Sequence, residues 1–217
     1  MTLLIFDFDG VVADTEVIAG TTLAEALTEI GLPTGFDDVI EHYLGRHWQD
    51  NVAIIEARLG GPLPAGWTDR RRNLVREQVA IGLSEVPGLS AFLDAHEHLP
   101  RCIASSSRRE WIALCLDRLC LSARFDRRFS GAEDVANGKP APDLFLHAAA
   151  ACGMQPADCI VIEDSVAGVT AGLAAGMRVI GLTAGSHSNA RHAASLTQAG
   201  AQAVAASYIE VAALLSS

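Results

Sequence analysis

The chain has 217 residues, half of them hydrophobic, and a formal net charge of −10. A chain of this size can hide roughly 70% of its unfolded surface, enough for one sizeable core and a small additional domain without staples. The acidic balance argues against a general nucleic-acid or anionic-membrane surface, because both need concentrated Lys and Arg; an anionic ligand has to be held locally.

Five cysteines, Cys102, Cys115, Cys120, Cys152 and Cys159, are odd in number, form no Cys-X-X-Cys pair and sit mostly within apolar segments. That usage predicts small core residues in a reducing compartment. The first strand signal comes at once with no basic lead, and no apolar run approaches the roughly 18 residues of a membrane span. The expectation is a cytoplasmic protein with no membrane and no nucleic-acid partner.

Leu3-Leu4-Ile5 reads as a fully buried strand, and it runs into Phe6-Asp7-Phe8-Asp9-Gly10-Val11-Val12-Ala13-Asp14-Thr15-Glu16. Two carboxylates one residue apart, Asp7 and Asp9, thus close a buried strand. Unpaired buried charge is costly, so such a pair meets a cation, a helix N-terminus or solvent. Alternate residues of a strand share a face, but a turn at Gly10 can re-aim the second carboxylate, leaving room for a cation and a substrate between them.

From residue 16 to 83 the spacing is helical. Val17, Leu23, Leu27 and Ile30 precede Gly31; Phe36, Val39, Ile40, Tyr43 and Leu44 precede Gly45; Val52, Ile55 and Leu59 precede Gly60. A Gly/Pro-rich loop at 60–66 separates these from a helix that opens near Thr68 and runs through Arg72, Val75, Val79 and Leu83. Val86-Pro87-Gly88 reads as a hinge. The expected division is an α/β core of residues 1–15 and 87–217 with a helical domain of residues 16–86 inserted after the first strand, the linkers near 15 and 86 letting one swing over the other.

The remainder alternates: helix 89–97, strand 101–105, helix 108–119, strand 127–130, helix 142–152, strand 159–163, helix 165–175, strand 177–182, strand 202–205 and helix 207–215. Short apolar strands between amphipathic helices predict a doubly wound parallel sheet. Ligands of such sheets bind beyond the carboxyl ends of the strands. Here the second strand ends in Ser105-Ser106-Ser107 and the fourth in Glu163-Asp164-Ser165. Ser107-Arg108-Arg109-Glu110 fits a capping box, which would put Ser105 and Ser106 where hydroxyls and free N–H groups receive a phosphate. In Gly138-Lys139-Pro140-Ala141-Pro142-Asp143, Pro142 suits a helix start and the two prolines stiffen the segment presenting Lys139. A cation there could neutralise an aspartate nucleophile and a transferring phosphoryl group.

Phe6-Asp7-Phe8-Asp9-Gly10, Ile103-Ala104-Ser105, Lys139-Pro140 and Ile162-Glu163-Asp164-Ser165, taken in that order, resemble the haloacid-dehalogenase-like hydrolases. Within them it is the phosphoglucomutase-like phosphatases, which carry an all-helical cap after the first strand, that the chain resembles. The resemblance implies a Rossmann-like core, Asp7 as nucleophile and Asp9 as general acid and base. It also implies Ser105, Lys139 and the Ser106 N–H around phosphate. A magnesium site follows from Asp7, the Asp9 backbone carbonyl and Asp164, with Glu163 orienting it. Hard oxygen ligands suit that ion. The implied activity is Mg2+-dependent hydrolysis of a small phosphorylated metabolite, a sugar or sugar-acid phosphate, through an aspartyl-phosphate. The alternative is a phosphomutase; beta-phosphoglucomutases carry a His where this chain has Ala19, which counts against it. A dehalogenase would lack the acid at Asp9.

The seven histidines, His42, His47, His96, His98, His147, His187 and His192, show no metal-like spacing and read as surface or packing residues. Trp48, Trp67 and Trp111 read as helix anchors. In the helical domain Arg46, Arg72 and Arg76 are candidates to reach a second anionic group of the substrate, with Arg70-Arg71-Arg72 forming a basic face. The expected assembly is a monomer or a weak homodimer.

Overall fold

The central strands are apolar on both sides and lie buried on both faces: β1 (Leu3–Phe6), β2 (Arg101–Ser105), β4 (Cys159–Glu163) and β5 (Arg178–Leu182). The shorter β3 (Arg128–Ser130) and β6 (Ala203–Ala205) are half-buried and sit at the two edges. In this computed structural model, which describes residues 2–43 and 48–215, all neighbours pair parallel in the order β3-β2-β1-β4-β5-β6. Parallel strands cannot be joined by tight hairpins, so helices cross between them: α5 (Leu89–Ala95), α6 (Arg109–Arg118), α7 (Asp143–Ala151), α8 (Val166–Ala174) and α9 (Ala190–Gln198), with α10 (Tyr208–Leu215) last. The sheet is the expected doubly wound one.

Alternation along β1 serves both faces. Leu3 and Ile5 join Cys102, Val161, Phe145 and Ala148 in one cluster, while Phe6 meets the Phe92 and Phe125 rings edge-on at 6.2 and 5.5 Å. Each of the Leu, Ile, Val and Phe side chains contributes about 1.5–3 kcal/mol by burial. The order of the sheet reverses direction between β1 and β4, and the crevice beyond their carboxyl ends is the place such sheets offer to a ligand.

Two expectations need correction. Helix α9 was not foreseen between β5 and β6. It is short, and its apolar side is mostly alanine with Leu196 as its single buried residue, so its amphipathic pattern spans too few large residues to stand out. The parallel pairing of β5 with β6 demands a crossover, and Asn189, whose side chain accepts from the His192 N–H, is a legible start signal. The capping box at Ser107 also does not form: Arg108 is the N-cap of α6, with no side-chain cap bond.

The chain divides into two compact units, one of residues 1–14 with 84–217 and one of residues 15–83. The second consists of α1 (Glu16–Glu29), α2 (Phe36–His42), α3 (Trp48–Leu59) and α4 (Trp67–Gly82). Its core is Leu23, Leu27, Val39, Tyr43, Ile55 and Trp67. Trp67 donates its indole N–H to the Ala26 carbonyl at 3.3 Å, and the Trp48 ring stacks on it with centroids 6.4 Å apart. Among the described residues, no helix is long and apolar enough to cross a membrane.

Candidate active site

The turn after β1 is gathered on one acceptor. The N–H groups of Val11, Val12 and Ala13 all donate to the Phe8 carbonyl, and Phe8, Val11, Val12 and Ala13 are fully buried. This apolar plug is why a loop can hold two acids firmly. Asp7 still belongs to the sheet, its N–H donating to the Ile162 carbonyl of β4 at 2.9 Å. Gly10 has φ +76°, and a Cβ there would lie 1.9 Å from Asp164 Oδ2, so glycine is required on both counts.

Three segments far apart in sequence meet at this point. Lys139, buried in the loop before α7, donates from Nζ to Asp7 Oδ1 and to Glu163 Oε1, both at 2.7 Å. The Phe145 ring lies 4.9 Å from the same ammonium. Glu163 is fully buried and also accepts the Ser165 N–H at 2.6 Å. Helix α8 leaves room for it at Gly168, where a Cβ would fall 1.6 Å from Oε1. Asp7, Glu163 and Asp164 each offer an oxygen within 4.8 Å of the others, an all-carboxylate donor set that fits a hard divalent cation.

The electrostatics agree with that fit. Burial, and then the neighbouring Glu163 and Asp164, push the Asp7 carboxyl well above its ordinary range, with Lys139 pulling it back. Burial followed by Glu163 raises Asp164 as well. Lys139 loses hydration too, but Asp7 and Glu163 outweigh that loss and hold it more firmly charged than a free lysine. Three clustered carboxylates against one ammonium leave an excess of negative charge that a cation would offset.

Asp9 turns away from this cluster. Its Oδ2 accepts from the Ser107 hydroxyl at 2.6 Å and its Oδ1 from the Trp111 indole N–H at 3.0 Å. Trp111 is therefore more than the helix anchor expected of it. The signal was its place, in the first turn of α6 at the end of β2, four residues after Ser107. Trp111→Phe removes the donor and keeps the ring; we expect kcat to fall about tenfold with KM little changed, read from steady-state kinetics. An unchanged kcat would remove Trp111 from any part in orienting Asp9.

Ser105 ends β2, buried, its hydroxyl accepting the Ser107 N–H at 3.0 Å; Ser106 is exposed beside it. The histidines at the end of the chain were misjudged. His187 is buried with Nε2 3.3 Å from Asp164 Oδ2, and His192 Nε2 hydrogen-bonds to the Asp164 carbonyl. Burial holds His192 below its ordinary value. No spacing rule finds these residues, because the segment from β5 into α9 brings them to Asp164.

In the helical unit Arg46 lies outside the described residues. Arg72 is exposed and pairs with Asp69 at 3.4 Å, a contact of little energetic weight, and Arg76 is half-buried. Arg71 is held more firmly. Its guanidinium lies over the Trp48 ring at 4.5 Å, and burial lowers its pKa to about 10, against the opposing effect of Glu16.

Comparison with known proteins bears on the whole arrangement. The chain is 30% identical over 177 residues to the fructose-1-phosphate phosphatase of Escherichia coli, covering 82% of this chain and 94% of that one. It is 29% identical over 187 residues to the 6-phosphogluconate phosphatase of the same organism, covering 84% and 82%. A haloacid dehalogenase-like protein of unknown function from Agrobacterium tumefaciens has the same fold, with a TM-score of 0.92 and 34% identity over 100% of this chain and 98% of that one. Residues 4–182 match the haloacid dehalogenase-like hydrolase family, four-fifths of the chain including all four motifs, and the protein therefore belongs to that family.

Proposed function

We propose that the protein is a phosphatase that hydrolyses a small phosphorylated sugar or sugar acid, using Mg2+ and a transient aspartyl-phosphate on Asp7. The observation that carries this reading is the buried Lys139 bridging Asp7 and Glu163 beside Asp164, at the crevice between β1 and β4. The paired ammonium opposes the effect of burial on the Asp7 carboxyl, and a bound cation would add to that pull toward the ionised form a nucleophile needs. The names of the two Escherichia coli relatives support the substrate class.

In this reading Asp7 attacks phosphorus, and Asp9 gives its proton to the departing oxygen. Asp9 then takes a proton from the water that opens the acyl phosphate. Ser105, the Ser106 N–H and Lys139 hold the phosphoryl oxygens. Asp7, Asp164 and the Asp9 carbonyl, with Glu163 orienting them, would hold Mg2+, whose bound charge offsets that of the phosphoryl group. The helical unit acts as the cap that selects the substrate and excludes water, with Arg46, Arg71, Arg72 and Arg76 as its cationic candidates. Ala19 stands where a mutase has histidine, so transfer to water is favoured over transfer to a second sugar position.

The test is a screen of phosphorylated metabolites with Mg2+, reading released phosphate, followed by chelation of the best substrate reaction. Chelation should stop phosphate release and Mg2+ should restore it, with Ca2+ giving little. Full activity in metal-free protein would sink the metal assignment. Conversion of a hexose 1-phosphate to its 6-phosphate faster than phosphate appears would favour the mutase.

A further inference from the structure

Asp164 is gripped from outside the family's motifs. His187 Nε2 approaches its Oδ2 at 3.3 Å, and His192 Nε2 meets its main-chain carbonyl. A carbonyl only accepts, so Nε2 of His192 carries the proton; in the neutral ring Nδ1 is left to accept from the Ser188 hydroxyl at 3.0 Å. The two imidazoles lie 5.1 Å apart, centroid to centroid.

His187 comes from the segment between β5 and α9 and His192 from the first turn of α9, and that segment is itself fastened. The Ser186 N–H donates to Asp14 Oδ1 at 3.1 Å and its hydroxyl to Oδ2, which ties the segment to the loop that carries Asp7 and Asp9. At its other end Asn189 caps α9 through the His192 N–H at 3.1 Å. Gly10 clears the space between, since a Cβ there would lie 3.0 Å from His187 Cε1 as well as against Asp164.

We propose that His187 and His192 are positioning residues that hold Asp164, side chain and backbone, in the orientation that receives a divalent cation. This rests on the metal site of the proposed function and adds to it the groups that aim one ligand. With His187 Nε2 3.3 Å from Oδ2 and His192 on the main-chain carbonyl, the residue is held at both ends, and outer partners of this kind typically alter affinity by 10–100-fold when removed.

The experiment is Mn2+ binding to the whole protein without substrate, measured by calorimetry. Near-isosteric pairs separate the donor from the volume: Gln places its amide where Nε2 sits, so His187→Gln is compared with His187→Met, and His192→Gln with His192→Met. We expect the apolar member of each pair to bind Mn2+ about tenfold more weakly than wild type, and the amide member to stay within about threefold. Apolar and amide variants of equal affinity overturn the proposal. Should the apolar variants not fold, Ser188→Ala decides the matter: about threefold weaker binding supports the clamp, and unchanged binding overturns it. A wild type that binds no Mn2+ would remove the metal site itself, whereas variants equal to a binding wild type remove only the clamp.

Discussion

Asp7→Asn is expected to lower kcat by about four orders of magnitude or more while the protein stays folded. An amide cannot form the acyl phosphate, and no other carboxylate can take its place. Glu163 is fully buried against Lys139 and the Ser165 N–H, and Asp9 is turned toward Ser107 and Trp111. The fold should tolerate the change because the amide oxygen can still accept from Lys139 Nζ. The change also removes one of three clustered carboxylates. Phosphate release and circular dichroism on the same preparation measure both halves. Activity near wild type in a folded Asp7→Asn protein would end the nucleophile assignment.

Lys139→Met should be the most damaging change to fold and activity together. The ammonium is buried and bonded at 2.7 Å to both Asp7 and Glu163. Without it two buried carboxylates face each other with a third close by. Removing one partner of a buried ion pair typically costs 3–5 kcal/mol, because the remaining charge is left uncompensated. Activity should fall by about 10³-fold, since a cation aimed at the phosphoryl oxygens is lost as well. The two effects can be told apart with Mg2+. An ion bound by the same carboxylates should recover much of the lost stability in urea unfolding, yet leave kcat low. A Lys139→Met protein as stable as wild type in metal-free buffer would contradict the electrostatic account of the cluster.

Much of this site is legible locally because the chemistry sits at strand ends. A run such as Leu3-Leu4-Ile5-Phe6 must be buried, so any acid that follows it marks the rim of the sheet, and the same reasoning finds Ser105 and Glu163-Asp164. The helices 16–83 are legible for a similar reason, since Leu23, Leu27, Val39, Tyr43 and Ile55 repeat at helical spacing and form the unit's core. Helix α9 lacks such a repeat, and with it went the means of bringing His192 to Asp164.

The parallel sheet, the helical spacing of residues 16–83 and the acids and serines at the strand ends are therefore local information. These follow from periodicity and from the cost of burying charge, both of which act over a few residues. Which group pairs with which is set in three dimensions. Trp111 reaches Asp9 across 102 positions of sequence, and Lys139 reaches Asp7 across 132. His187 and His192 arrive at Asp164 by a loop tied to Asp14. Such pairings depend on the strand order β2-β1-β4-β5 and on the directions in which loops leave the sheet. No local pattern encodes those, because hydrogen-bond partners are chosen by distance in space and not by spacing along the chain.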